Sequence, residues 1–319
     1  MNELNISAKI IAHSKSAYTE QEIITYELTY PRFILAEMNT HRLFSRNSAS
    51  SRAIPIDRML DLIENSPAMP VQWGINKAGM QAAEEHPDPA TCEWAWLQAA
   101  KSAAKEARRL QALGLHKQIV NRVLEPFQIM KTIVTATDFD NYFWLRCHTD
   151  AQPEIKVLAD LMYEALDGSI PQTLYEGQWH LPYVDLVYPD NLVGASDGVK
   201  YYSGDKEVSL EEAKKISISC CCQVSYRRLD DSLDKALKIH DQLVTMVPVH
   251  ASPTEHQATP VPEYTDDCLH YWVLEQGNIG EAFEGITHTD SEAFYSGNFR
   301  DWIQYRQTIE GHTCWVFKG

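Results

Sequence analysis

The chain has 319 residues, 44% hydrophobic and 23% charged, the profile of a globular protein long enough for one large domain or two smaller ones and not of a disordered chain. A formal net charge of −16 repels polyphosphate over its whole field, which argues against long nucleic acid or an anionic membrane as partner. The N-terminal residues lack the basic start and apolar run of a signal peptide, and no apolar stretch approaches a membrane span, so a cytoplasmic location is expected.

Ile24, Tyr26, Leu28 and Tyr30 alternate with Thr25, Glu27 and Thr29, the period of a strand with one buried face. Pro31 ends that strand and suits the first turn of a helix, which Phe33 to Thr40 continues. The basic segment that follows is expected at the helix end and in the loop beyond it. Residues 55–65 predict a short helix, and 90–113 a long one stopped by Gly114, with irregular chain between them around Pro67 to Pro70, Gly74 and Gly79. Lys117 to Leu124 predict a helix halted by Pro126. Ile155, Leu158, Ala159, Met162 and Leu166 form an apolar stripe at helical spacing before Gly168. Residues 188–205, rich in Gly, Asp, Asn and Ser, read as a linker or small ribbon. Ser209 with Glu212 makes a capping box for a helix running toward Ser225, and Ser232 can cap another to about Val247. The apolar spacing in Asn298 to Arg306 predicts a packing helix.

Seven cysteines, three of them consecutive at Cys220, Cys221 and Cys222, suggest no paired disulfide framework, and a C-x-x-C zinc spacing is absent. Small buried side chains in a reducing compartment are the expectation, with no metal. His250 and His256 lie six apart across Pro253, unlike the one-face pair of a helical zinc site. Residues 30–52 carry Arg32, Arg42, Arg46 and Arg52 against one acid, Glu37, a local excess of positive charge where a small anion can use it. Ser50 has no base paired with it in the manner of a hydrolase triad, so hydrogen bonding to a ligand is its expected role.

The run Thr40-His41-Arg42-Leu43-Phe44-Ser45-Arg46-Asn47-Ser48-Ala49-Ser50-Ser51-Arg52 resembles the R-H-R-x-x-S-x-N-E-x-S-x-R-Y signature of flavin-dependent thymidylate synthases, with matches at His41, Arg42, Ser45, Asn47, Ser50 and Arg52. Thr40, Ser48 and Ala53 depart from it, standing for an arginine, a glutamate and a tyrosine. Asn121-Arg122-Val123-Leu124-Glu125-Pro126 is similar to the family's A-R-x-x-L-P element, and Asn141, Leu145-Arg146 and Ala151-Gln152-Pro153-Glu154-Ile155 follow in the family's order. The family's N-L-R flavin contact falls near Thr135-Ala136-Thr137, here without its arginine. Gln223-Val224-Ser225-Tyr226 and His250-Ala251-Ser252-Pro253-Thr254-Glu255-His256 resemble R-V-S-Y and H-x-S/T-P-x-E-H elements that precede the arginine signature in that family and here follow it. A circularly permuted relative is therefore expected.

The resemblance implies an α+β fold, mainly helical around an antiparallel sheet, with permuted element order. Residues 1–187 would be the signature and nucleotide-binding part, 188–205 a linker, and 206–319 the permuted helical part with a C-terminal extension. It also implies an enzyme that moves a one-carbon unit from methylenetetrahydrofolate to C5 of a pyrimidine nucleotide, with dUMP to dTMP as the central case. FAD would be the cofactor, with NADPH and methylenetetrahydrofolate as co-substrates. By resemblance His41, Arg42, Asn47, Asn141, His250 and Ser252 would contact flavin, while Glu37, Ser48, Ser50, Ser51, Arg52, Arg122 and Arg146 would surround the nucleotide. Arg146 is the residue assigned to stabilising charge on the ring, against a structural alternative, an ion pair with Asp150. Relatives suggest a homo-oligomer, a tetramer, with sites completed between chains. Glu37, Thr40 and Ser48 leave open another pyrimidine nucleotide, another C5 group such as hydroxymethyl, or a flavin- or nucleotide-binding relative without catalysis.

Overall fold

The computed structural model describes residues 5–79, 81–82, 84–189, 198–225, 229–271, 283–290 and 292–316. Its frame is a five-stranded sheet of β1 (Ser7–Ser16), β2 (Glu22–Pro31), β3 (Ser45–Ser48), β4 (Ile129–Ala136) and β5 (Gln172–Leu174), in the order β3-β4-β2-β1-β5. β2 runs antiparallel to β1 and β4, β3 antiparallel to β4, and only the edge strand β5 lies parallel to its neighbour. The alternation in β2 has its expected result: Ile24, Tyr26, Leu28 and Tyr30 are buried on one face.

Short α1 (Leu35–Met38) follows a 3-10 turn at Arg32–Ile34, and the basic segment does not stay loop throughout. Its second half is β3, because Ser45 to Ser48 find paired backbone partners in Thr135 to Thr132. α2 (Ile56–Asn65) and α3 (Pro89–Ala112) form where expected and pack Met59, Leu60 and Ile63 on Ala100, Ala104 and Ala107. α4 (Lys117–Val120) is shorter than predicted, since the chain tightens into a 3-10 helix over Asn121–Phe127 that contains Pro126. Proline cannot donate the bond an α-helix would need there.

α5 (Asp140–Arg146) and α6 (Pro153–Asp167) cover the apolar face of the sheet, where Tyr142, Phe143, Ile155, Leu158, Ala159 and Met162 meet the β2 stripe. The expected linker contributes to a three-stranded ribbon, β6 (Asp185–Val187), β7 (Lys200–Ser203) and β8 (Lys206–Val208), while residues 190–197 lie outside the described residues. α7 (Leu210–Cys222) begins with the expected capping box, Ser209 Oγ accepting from the Glu212 N–H and Glu212 accepting from the Ser209 N–H. α8 (Leu233–Leu243) starts at Ser232, whose side chain accepts from the Lys235 N–H. Cys220 and Cys221 are buried, and burial pushes the Cys220 thiol up to about 12, which makes them inert packing groups. Tyr226 of the second motif lies outside the described residues.

The other face of the sheet holds a buried polar chain. Ser14 Oγ bonds His180 Nδ1 at 2.9 Å, His180 Nε2 bonds Thr25 Oγ1 at 2.8 Å, and Thr25 Oγ1 bonds Thr135 Oγ1 at 2.7 Å. Thr135 Oγ1 then bonds His256 Nδ1 at 2.8 Å, joining the sheet to the segment around residue 250. Burial holds both histidines neutral, lowering each to about 3.

The packing helix expected over Asn298 to Arg306 is not formed. After β9 (Ala258–Pro260) and α9 (Asp266–Tyr271), the described residues between 288 and 304 form β10 (His288–Thr289), β11 (Phe294–Ser296), β12 (Phe299–Arg300) and β13 (Trp302–Gln304). Two positive φ values, +60° at Gly297 and +59° at Asp301, break any helical run. The Asp301 turn is held because its Oδ1 accepts from the Phe294 N–H and from Tyr264 Oη. The apolar residues that mimicked helical spacing, Phe299 and Trp302, are both fully buried beside Ile23, Leu174 and Ala258. No helix among the described residues is long and apolar enough to cross a membrane.

Candidate functional site

The signature begins where α1 ends. Past the end of α1, Arg46 adds a side-chain donor to two carbonyls that already accept from the His41 and Phe44 N–H groups, its Nη1 donating to Met38 O at 3.2 Å and His41 O at 2.5 Å. That contact folds the chain back on itself, so residues 40–44 form one wall of a cavity of about 180 Å³. The other wall is Asp138 and one face of α5, which presents Asn141, Tyr142, Leu145 and Arg146. Rings close its base: Phe44 and Tyr142 are buried, and His41 lies edge-on to Tyr142 at 4.8 Å and stacked on Phe44 at 5.6 Å between centroids.

Arg146 reaches across this cavity. Its Nε donates to His41 Nε2 at 2.9 Å and its Nη2 to Thr40 Oγ1 at 3.2 Å. The accepting Nε2 of His41 is thereby the unprotonated nitrogen, leaving the ring hydrogen on Nδ1. Burial, then Arg146 and Arg46, lowers the His41 pKa to about 4, so the ring stays neutral at physiological pH. The alternative partner of Arg146, Asp150, lies instead beside His148 at 3.7 Å. Arg42 is exposed at the cavity mouth and has no hydrogen bond or ion pair among the described residues. Together these groups offer a cationic edge over a neutral aromatic floor, an arrangement suited to a planar anionic ligand.

The remaining signature side chains do not line this cavity. Asn47 Nδ2 donates to Cys221 O at 2.6 Å, tying β3 to the end of α7. Ser48 Oγ bonds Thr132 Oγ1 at 2.9 Å on the sheet. Ser51 Oγ donates to Glu125 Oε1 at 3.1 Å, and the same oxygen takes Arg122 Nη1 at 2.7 Å and Arg32 Nη2 at 3.0 Å. Ser50 Oγ accepts from the Arg52 N–H at 3.3 Å, and the Arg52 side chain is exposed. Glu37 is partly buried, and its Oε2 is a buried oxygen with no hydrogen-bond partner among the described residues.

The segment around residue 250 approaches the signature, because the 3-10 turn Ser252–Glu255 packs against β3. Ser252 is partly buried there, whereas His250 is exposed and holds α8 through its backbone N–H to Leu243 O at 2.8 Å. A larger cavity, about 740 Å³, opens between Phe33, Trp96 and the start of α6. None of residues 40–52 lines it, so size does not mark the site; the convergence of Arg42, His41 and Arg146 does.

The family described as thymidylate synthase complementing protein matches residues 2–172. The chain belongs to that family. The match spans the signature, Arg122 and Arg146, and ends before the segment around residue 250. No curated protein matches the chain. Among solved structures, a UMP/dUMP methylase from Streptomyces cacaoi bound with 5-Br dUMP is 16% identical, covering 50% of this chain and 89% of that one at a TM-score of 0.42. Thymidylate synthase X from Helicobacter pylori, with FAD and dUMP, is 15% identical over 46% of this chain and 68% of that one, at a TM-score of 0.33.

Within the family match, the fold thus gathers His41, Arg42, Asn141 and Arg146 and keeps Ser51 and Arg122 on a separate carboxylate, Glu125. Sequence reasoning missed Asp138, Tyr142, Phe44 and Glu125. Phe44 was inside the signature, but at an unspecified position. Asp138 had no local pattern to mark it.

Proposed function

We propose that the protein transfers a one-carbon unit from methylenetetrahydrofolate to C5 of a pyrimidine nucleotide, with dUMP to dTMP as the central case. The observation that carries this reading is the Arg146 guanidinium, held by neutral His41 and by Thr40 across a cavity that the family match includes. An always-charged guanidinium fixed at a ring edge stabilises the negative charge that makes pyrimidine C5 nucleophilic, and being already oriented it needs little reorganisation. Arg42, Arg52 and Arg122 supply fork-shaped donors for phosphate, with Ser48, Ser50, Ser51 and Glu37 as further polar contacts to the nucleotide.

FAD, reduced by NADPH, would supply the electrons of the transfer. The residues present fit part of such a group: uncommitted Arg42 and exposed Asn141 flank an aromatic floor, with Asn47, His250 and Ser252 as further contacts. A cavity of about 180 Å³ is smaller than the roughly 300–1,000 Å³ of whole ligand sites. A site completed by a second copy of the chain accounts for that size and for the separate Arg122 and Ser51 cluster, which supports a homo-oligomer, a tetramer in this reading. Circular permutation accounts for a turn at Ser252–Glu255 packing on β3 from beyond the family match.

Another pyrimidine substrate is favoured by one observation. The buried Glu37 Oε2 without a partner calls for a donor, and an amino group on the base or a sugar hydroxyl would satisfy it. The test is incubation with FAD, NADPH, methylenetetrahydrofolate and each of dUMP, dCMP and UMP, followed by mass spectrometry of the nucleotide. A gain of one methyl on dUMP supports thymidylate synthesis, and a gain on dCMP or UMP the second reading. No gain on any of them, with nucleotide still bound, would leave a binding protein without this chemistry.

A further inference from the structure

The two walls of the Arg146 cavity are both gripped by one short piece of chain that lies beyond the family match, the turn between β11 and β12. Asn298 Nδ2 donates to Leu43 O at 2.6 Å, and Asn298 Oδ1 accepts from Ser45 Oγ at 3.1 Å. Gln304 Nε2 braces the same group, donating to Asn298 Oδ1 at 3.0 Å and Ser45 Oγ at 3.2 Å. Two residues on from Asn298, the Arg300 N–H donates to Thr137 Oγ1 at 3.1 Å and Arg300 Nη2 to Asp138 Oδ1 at 2.9 Å. Thr137 Oγ1 in turn donates to Asp138 Oδ2 at 2.9 Å, so both carboxylate oxygens of Asp138 are tied. Leu43 lines one wall of the cavity and Asp138 the other.

The turn itself cannot drift. Phe299 between the two contacts and Trp302 after them are fully buried, and Trp302 Nε1 donates to Gln21 O at 3.1 Å. Gly297 permits the tight reversal, with φ of +60° and Gln304 Oε1 only 2.8 Å from where a Cβ would stand.

We infer that the Asn298–Arg300 turn is a positioning element of the site, a brace that sets the distance between the signature loop and the Asp138 wall and so holds His41 and Arg42 opposite Arg146. A ligand that must touch both walls depends on that spacing, and where it reacts a misplacement of about 1 Å can cost a hundredfold in rate. Asn298, Arg300 and Gln304 act through the residues they hold and need not touch the ligand. The consequence for binding rests on the function proposed above; the bracing itself does not.

The experiment compares the full chain with Asn298→Ala, Arg300→Ala and Arg300→Lys. Three quantities are read: hydrogen exchange of residues 41–48 without ligand, thermal midpoint, and dissociation constants for FAD and dUMP. Asn298→Ala should speed exchange in residues 41–48 and weaken ligand binding about tenfold, while the thermal midpoint falls by only a few degrees. Arg300→Lys, which keeps the charge facing Asp138, should recover most of the affinity lost in Arg300→Ala. Unchanged exchange at 41–48 in Asn298→Ala overturns the brace. Faster exchange with unchanged ligand affinity, or affinity loss that only follows the thermal midpoint and is not rescued by lysine, overturns its role in positioning. If the unmodified protein binds neither FAD nor dUMP, the function proposed above fails, and exchange alone decides the brace.

Discussion

Acid should destabilise this protein well before its carboxylates titrate, because the polar chain across the sheet contains two buried neutral histidines. His180 and His256 ordinarily titrate near 6.5, and burial in the fold lowers each to about 3. Between those values the unfolded chain binds protons that the folded chain refuses. Stability therefore rises with pH in that window and is lost as pH falls below 6.5. Each group removes about 1.4 kcal/mol per pH unit below its ordinary value, so the pair removes roughly 3 kcal/mol at pH 5.5, a large part of a typical total of about 5–15 kcal/mol. Acids held low in the fold, such as Glu27 with its Lys131 and Tyr183 partners, act in the same direction only below their ordinary value of 4.5. His41, lowered to about 4, and His240 and His312, also lowered, share the window, so the pair's part is read from the difference between parent and variant. The assay is urea unfolding followed by tryptophan fluorescence at intervals from pH 7.5 to 5, on the parent and on His256→Gln. The variant should show about half the pH slope contributed by the pair, whatever its absolute stability. A flat profile in the parent, or an equal slope in His256→Gln, would refute the argument that the buried rings are the acid-sensitive groups.

Arg146→Lys keeps the charge but loses the Nε–H that meets His41 and the fork that also reaches Thr40. Nucleotide turnover should fall about a hundred- to a thousandfold, and near-normal turnover by product mass would remove Arg146 from the chemistry. Leu158→Ala opens a cavity in the fully buried layer between α6 and β2 and should cost roughly 2–5 kcal/mol by denaturant titration. Ser209→Ala removes the cap of α7 and should cost about 1 kcal/mol without changing ligand affinity; a loss of affinity in that variant would mean that α7 governs the site more directly than its packing indicates.

Local pattern sufficed for much of this protein. The alternation in β2, the stripe of α6 and the Ser209 capping box each depend on residues within a few positions of one another, and each appears as read. The arginine signature likewise carried the family, since its residues are contiguous and their order survives folding.

What each arginine does was beyond that reach. Arg46 and Arg122 look alike in sequence to Arg42, yet Arg46 bonds backbone carbonyls just past α1 and Arg122 pairs with Glu125 away from the Arg146 cavity. Only Arg42 is left open at the Arg146 cavity. The C-terminal strands show the same limit. Phe299 and Trp302 have the spacing of a helix, but the positive φ at Asp301 and the contacts of Asn298 with Leu43 and Ser45, 253 positions from Ser45, made a turn instead. Sequence determines which side chains can be cations, caps or apolar faces; which partner each one meets is decided by residues far away along the chain, brought close only when the sheet and its two covered faces assemble.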